Sequence, residues 1–526
     1  MLAQLDMILD VEPRLPARVM TGVGHRRRIE ALSLLICVAI SIMAYTRFSS
    51  DRRAKTARRL TLTLFGHTLA IPSVKKVVGG MDIRLGPIAG EARIDVLDVL
   101  RGLAILGILY MNIPFMGQQI ILFMTDPRMI GWSVADRNVW VFIQTFLDGT
   151  QRGMLEFLFG AGMMVLTARA MEPDGPVAVA DLYFRRSLWL LLFGMLDIFA
   201  LLWAGDILHT YAIAGLFLFP FRKLKAKHLL GLGLALAAIP QVMGAVEYVG
   251  RAHLIVKVEA VHDKQAAKAK LTKDDKAILK DWQEKLDTFK LDKKKREQFA
   301  QEKTGHSGTL AKYASWNWAS WMQVWIGKNV FFASIFEAFT AMLIGVGLFK
   351  LGIIQGQRSP AFYLRLMVVA YAVGLGLRGF GTWERMTFAP IPKTLWFTFE
   401  YGRLAVTLGH LALVNYAMQT GPGRRLLAPF KAAGRTAFSL YVMQTLIGMW
   451  LLFAPFGLNL WAQFGWAQLI AIATGIIALQ VVIANLWLRH FTMGPLEWLW
   501  RSLCYWRRQP FRLPAAPQRD PGLSPA

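Results

Sequence analysis

The sequence is broken into long apolar blocks, each close to the length of helix that a bilayer demands. A stretch of about 18 or more apolar residues with few charges makes a helix that spans a hydrocarbon layer roughly 30 Å thick. Such a helix satisfies its own backbone hydrogen bonds, which lipid cannot do for it. Blocks of this kind recur from Val96 onward, near 96–116, 138–166, 187–204, 207–221, 229–249, 329–349, 361–378, 397–418, 436–455 and 466–488. The expected fold class is all-α, a polytopic membrane helix bundle of about ten transmembrane helices with one long external insert. Composition agrees, because 55% hydrophobic and 18% charged residues are too apolar a mixture for an ordinary soluble protein.

A formal net charge of +26 raises nucleic acid as a partner, and the placement of the charges argues against it. The basic residues fall mostly in short loops between apolar blocks, where they act as orientation signals. Arg185 and Arg186, then Arg222, Lys223, Lys225 and Lys227, then Lys350 and Arg358, then Arg424, Arg425, Lys431 and Arg435 occupy alternate loops. Arg501, Arg507 and Arg508 follow the last block. This asymmetry predicts an inner-membrane protein with both ends of the ten-helix core in the cytoplasm, and the bilayer itself as a partner. The two cysteines, Cys37 and Cys504, lie near opposite chain ends, so neither a disulfide framework nor a cysteine metal site is expected. The sequence does not disclose an oligomeric state.

Domain organisation follows the same pattern. Residues 1–90 form a basic extension, in which Arg26, Arg27 and Arg28 precede a short apolar run, Ala31–Tyr45. That run reads as a targeting or anchor element, or else the working chain begins at Met81. Two five-helix halves, 91–250 and 329–508, flank an insert at 251–328, and 509–526 reads as a disordered tail. The insert is Lys-rich through residue 314, with Lys293, Lys294, Lys295 and Arg296 in a row, and suits a solvated, partly helical hairpin. Long loops translocate largely regardless of charge, so an external position is allowed. Trp316, Trp318, Trp321 and Trp325 follow it as an expected interfacial aromatic anchor.

Ionisable groups inside spans are costly and are functional candidates by default. Asp148, Arg152 and Glu156 are spaced by four, which predicts one helix face with the Arg between two carboxylates, as packing glue or as a site. Asp98 and Arg101 are three apart; Arg101 either snorkels to the interface or binds a phosphate or carboxylate. Asn112 is a polar group at the far end of the same helix. In W-A-G-D-I-L-H-T-Y (203–211), Gly205 suits a tight turn, Asp206 a helix cap and His209 a position one turn in. Asp–His proximity suits a general base or nucleophile, or a capped helix with a hydrogen-bonded His. His410, two turns from Arg403 on nearly the same face, is the second candidate base. No His clusters at metal spacing, so no metal site is expected.

Five ordered stretches carry a family resemblance: L-D-V-L-R-G-L-A-I-L-G-I-L-Y-M-N (97–112), F-L-F-G-A-G (157–162), G-D-I-L-H-T-Y-A-I-A-G-L (205–216), A-G-R-T-A-F-S-L-Y-V-M-Q-T (433–445) and G-P-L-E-W-L-W-R (494–501). Over about 93–506 the chain resembles the YeiB-like family of bacterial membrane proteins, whose shared domain has no assigned function. More distantly, through the R-G motif and the ten-helix plan, it resembles membrane acyltransferases. These include the bacterial acyltransferase-3 enzymes and the lysosomal heparan-glucosaminide N-acetyltransferase. That likeness implies acyl-CoA as donor substrate, no bound cofactor, and a lipid or envelope-glycan acceptor across the membrane. His209, Asp206 or His410 would then be catalytic, and Arg101, Asn112, Arg152, Glu156 and Arg403 would bind substrate. Two departures stand out. Asp197 occupies G-M-L-D where many family members place a His nearby, and F-S-L-Y replaces the usual L-T-N-Y. A transporter or flippase and a non-catalytic scaffold remain the rival functions.

Overall fold

The computed structural model describes residues 61–64, 67–70, 94–120, 122, 126–167, 177–287, 290 and 293–513. The apolar run at 31–45, the start-site question and most of the expected tail lie outside the described residues. In the N-terminal extension β1 (Thr61–Leu64) pairs antiparallel with β2 (His67–Ala70). The body of the molecule is an all-α membrane helix bundle.

α1 (Asp95–Gly117) is the first span. The second apolar block is divided into α2 (Val134–Phe142), a π-turn over Ile143–Leu147, and α3 (Thr150–Thr167). The division falls at Gly149, whose φ of 74° lies in the left-handed region that glycine adopts without strain. α4 (Val177–Phe199), α5 (Leu208–Leu218) and α6 (Ala226–Ala266) complete the first half. At 1.5 Å per residue the 41 residues of α6 run about 60 Å, twice the hydrocarbon thickness, so the fifth span continues into the insert without a break.

α7 (Lys273–Leu286), α8 (Lys293–Gly305) and α9 (Leu310–Trp321) make up the rest of the insert. A Thr272–Asp275 capping box starts α7, and Lys264 holds Asp275 at 2.8 Å, tying α7 to α6. The second half comprises α10 (Val330–Lys350), α11 (Pro360–Arg385), α12 (Leu395–Met418), α13 (Gly421–Arg435), α14 (Ala437–Leu452), α15 (Trp466–Trp487) and α16 (Pro495–Tyr505).

Among the described residues, α1, α6, α10, α11 and α15 are long and apolar enough to cross a membrane, and α14 is a shorter apolar helix. Other core helices are less apolar for a visible reason: α12 carries Glu400 and Arg403 in its interior, and the second block is cut at Gly149. Helices pack in neighbouring pairs, α11 along α12, α13 along α1, and α10 against α3 and α6. Between them Leu100, Phe157, Ala341 and Leu411 form a buried core. Val242, Val246, Val368, Val369, Leu479 and Val482 instead face outward. Apolar stripes of that kind on α6, α11 and α15 suit a hydrocarbon solvent.

The insert is more than a solvated hairpin. Most of its described lysines are exposed, but Glu302 is buried and accepts the Ile120 amide at 2.8 Å. His306 stacks on Trp461 at 3.9 Å, so α8 and the start of α9 fold back onto the bundle. The expected aromatic anchor also divides. Trp318 is exposed, whereas Trp321 and Trp325, four apart and hence on one face, are buried against the bundle.

Candidate functional site

Two cavities lie at successive levels of the bundle. One, about 140 Å³, opens toward the insert. Asn112 and Met116 of α1, Asp148 and Arg152 around the Gly149 break, Glu337 of α10, and Glu302, His306 and Asn317 of the insert border it. The other, about 240 Å³, lies toward the basic loops and is ringed by Arg101, Arg186, Arg435 and Arg501, with Glu497 and Trp500. The levels follow from helix geometry. Along α1, Arg101 and Ile105 face the second cavity and Ile108 to Met116 the first. Eleven residues from Arg101 to Asn112 span about 16 Å at a helical rise. Ile207, at the start of α5, borders both cavities.

The wall between them holds the Asp206–His209 pair. Asp206 Oδ2 accepts the His209 backbone amide at 3.0 Å and stands 2.9 Å from His209 Nδ1. One carboxylate thus caps the helix and orients the ring. Asp206 Oδ1 accepts from the Tyr441 hydroxyl at 3.1 Å, and the same hydroxyl accepts the Ile207 amide at 3.2 Å. The turn can approach α4 only because Gly194 lacks a side chain; a Cβ there would sit 2.5 Å from the His209 nitrogen. The tight turn expected at Gly205 is present, closed by the Asp206 amide on the Trp203 carbonyl at 3.3 Å, and Leu202 just before it has a left-handed φ of 65°. The His209 side chain is fully buried, stacked on Phe331 at 5.8 Å and edge-on to Trp325 at 5.0 Å. Its Nε2 lies 3.3 Å from the Thr210 hydroxyl, and Thr210 borders the insert-side cavity. Asp197, on α4, is buried and accepts from Thr445 at 3.3 Å.

The second polar layer is an ion cluster. Arg403 grips both oxygens of Glu400, at 2.8 and 2.7 Å, and donates to Glu156 at 2.9 Å. Arg152 donates to Glu337 at 3.0 Å and approaches Glu156 at 3.6 Å. Of the pairing expected among Asp148, Arg152 and Glu156, the Arg152–Glu156 half is present and the Asp148 half is corrected. Asp148 precedes the Gly149 break, so the i,i+4 relation does not reach it, and it faces Arg378 of α11 at 3.9 Å. Glu337, Glu400 and Arg378 were missed in the sequence, although a charge inside an apolar block is the signal that marks them.

The candidates from the sequence separate clearly. His209 and Asp206 come together; Asn112 and Arg152 border the insert-side cavity, and Arg101 the arginine-lined one. Arg101 is also paired with Asp98 at 2.9 Å. Glu156, Arg403 and His410 border neither cavity, and Asp206 and His209 reach them only through their neighbours Gly205, Ile207, Leu208, Thr210 and Tyr211. His410 Nε2 is 3.0 Å from the Phe146 carbonyl, and its Nδ1 is 2.7 Å from the Tyr371 hydroxyl. Asn112 is buried, and among the described residues its amide nitrogen has no hydrogen-bond partner, so the cavity presents an unused donor.

Fold and site define a membrane protein with buried polar machinery between two cavities. The chain belongs to the YeiB-like family. It is 32% identical over 431 residues to the uncharacterised protein YxaH of Bacillus subtilis (strain 168), covering 81% of this chain and 98% of that one. It is 26% identical over 423 residues to the uncharacterised protein YeiB of Escherichia coli (strain K12), covering 77% and 95%. An uncharacterised 39.9 kDa protein from the amylase 3′ region of Bacillus acidopullulyticus is 24% identical over 435 residues, covering 82% and 99%. Residues 348–507 match the family described as "Protein of unknown function (DUF418)". Within that region Glu497 of the G-P-L-E motif accepts the Phe438 amide at 2.6 Å and the Ser439 hydroxyl at 2.6 Å. It therefore caps α14 from outside, satisfying amides that a helix start leaves open.

Proposed function

We propose that the protein transfers an acyl group from an acyl-coenzyme A to a lipid or envelope-glycan acceptor, with Asp206 and His209 as the proton-handling pair. The carrying observation is the wall: two cavities of different chemistry share Ile207, and a carboxylate-oriented imidazole is built into the same turn. The arginine-lined cavity suits the phosphates of a coenzyme A, since guanidinium forks match phosphate oxygens. Trp500, with Arg186 stacked over it at 4.3 Å, offers an aromatic surface beside them. The insert-side cavity, with the Asn112 amide, Asp148, Arg152 and Glu337, suits a hydroxyl-bearing acceptor. In this scheme the arginine-lined cavity faces the cytoplasm of an inner-membrane protein, where the positive-inside asymmetry puts the basic loops.

The test incubates the purified full chain with radiolabelled acyl-coenzyme A and an envelope lipid and glycan extract. Label appearing in the extract supports transfer. No transfer, together with solute or lipid movement in proteoliposomes, favours a transporter that uses the same cavities. Sidedness is tested separately, by single cysteines at Lys223 and Lys285 in a chain lacking Cys37 and Cys504. Position 285 should react with an impermeant reagent in intact cells and position 223 should not; the reverse pattern overturns the orientation.

A further inference from the structure

We propose that Thr210 carries the acyl group through the wall as an ester on its side-chain oxygen. The proposal rests on the acyl-transfer function above and names its covalent intermediate. Direct transfer needs donor carbonyl and acceptor oxygen within about 3–3.5 Å of each other. Here the cavities that would hold the two substrates lie at different levels, and a carrier in the wall removes that requirement.

The geometry picks out Thr210. A carboxylate only accepts hydrogen bonds, so Asp206 Oδ2 at 2.9 Å fixes the proton of His209 on Nδ1. Nε2 is left with its lone pair, and the group facing it at 3.3 Å is the Thr210 hydroxyl. Hydroxyl, imidazole and carboxylate thus stand in the order that activates a hydroxyl nucleophile. The position is also right. Thr210 borders the insert-side cavity, while Leu208 and Tyr211 on either side of this pair border the arginine-lined one. Trp325 and Phe331 pack against the imidazole, which shields the base from bulk water.

In the first step His209 Nε2 takes the Thr210 proton, and Oγ1 attacks the thioester carbonyl. A C–O bond forms, the C–S bond breaks, and the imidazolium returns the proton to the departing coenzyme A sulfur. In the second step an acceptor hydroxyl loses its proton to Nε2 and attacks the ester. Its C–O bond forms, the Thr210 bond breaks, and the proton goes back to Oγ1. No oxidant, reductant or metal is needed.

The experiment uses the full chain in lipid nanodiscs with radiolabelled acetyl- or palmitoyl-coenzyme A, in separate reactions without acceptor. Protein-bound label should appear with one of them, map by mass spectrometry to the peptide holding Thr210, and leave on addition of the extract. Thr210→Val, nearly the same shape, should lose bound label and transfer by a hundredfold or more while its melting temperature and coenzyme A binding stay unchanged. Thr210→Ser should keep both label and transfer. Transfer that persists in Thr210→Val, label at another residue, or transfer by wild type with no protein-bound label each overturns the carrier while leaving the acyl-transfer function standing. Absence of transfer by wild type with either donor removes that function, and the carrier with it.

Discussion

The turn around His209 and the middle of α12 around His410 both bury a histidine, and they surround it in opposite ways. In α12 the two ring nitrogens face a backbone carbonyl and a tyrosine hydroxyl, both inside the packed bundle. One neutral tautomer satisfies both, with Nε2–H donating to Phe146 and Nδ1 accepting from Tyr371. Such a ring ties α12 to α11 and to the π-turn before Gly149, and has no lone pair left for chemistry. In the α5 turn one nitrogen faces a carboxylate and the other a hydroxyl at a cavity edge. Burial alone therefore does not tell the proposed base from a ring held in the packing. The useful signature is one nitrogen held by an acid and the second aimed at a group that opens onto a cavity.

The sharpest way to break this contrast is to remove each ring in turn. His209→Gln should lower acyl transfer by roughly a hundredfold or more, the scale of a lost general base, with folded yield retained. Asp206→Asn should also weaken transfer, because an amide can accept the helix amide but cannot balance an imidazolium. His410→Gln should change transfer by less than about threefold and act through stability, on the scale of one buried hydrogen bond, about 1 kcal/mol. Initial rates and detergent melting curves on the three variants decide it. Loss of transfer in His410→Gln alone would reverse the two roles.

Arg403, two turns from His410 on α12, extends the architectural side of the comparison. Its guanidinium is fully buried between Glu400, Glu156 and Glu337. Arg403→Ala leaves buried carboxylates without a cation and should cost about 3–5 kcal/mol, read as loss of folded yield. Adding Glu400→Gln should recover part of it. For Arg152→Ala the rescuing change is Glu337→Gln and not Asp148→Asn, since Asp148 faces Arg378. Normal accumulation of Arg403→Ala with activity lost would move this cluster from scaffold to site.

How far the sequence announced all this depends on the range of the interaction. Long apolar blocks specify helices locally, so the bundle was legible, and so was Asp206–His209, because three residues on a helix start bring cap and ring together whatever surrounds them. The partners that give these groups their roles come from elsewhere in the chain. Tyr441 reaches Asp206 across 235 positions, and Arg403 reaches Glu156 across 247. Spacing has no reach at that distance. The break at Gly149 shows the complementary failure: a periodic argument assumes an uninterrupted helix, and one left-handed residue removed Asp148 from its expected face. Thr210 carried no signal, since a hydroxyl beside a His is common and its cavity is assembled from separate helices.

A third histidine sharpens the comparison through pH, with the smallest expected effect. His306 stacks flat on Trp461 and sits 3.1 Å from the Glu302 carbonyl, with Tyr313 and Trp316 edge-on. It has burial without an acid to hold its proton, and burial lowers its pKa from 6.5 to about 4. The folded insert therefore keeps this ring neutral, while the opened form takes up a proton as pH falls below about 6.5. The sign is a loss of stability that begins near pH 6.5 and is complete below about pH 4, on the order of 3 kcal/mol at most. The loss is local, because the ring follows directly on α8, which carries the Glu302 carboxylate that accepts the Ile120 amide. Amide exchange in α8, corrected for intrinsic rates, should thus rise between pH 7 and 5 while exchange in α5 stays constant. His306→Phe keeps a flat ring against Trp461 but cannot be protonated, so most of the pH dependence should vanish. Equal acid sensitivity in that variant would assign the effect to Glu302 and not to His306.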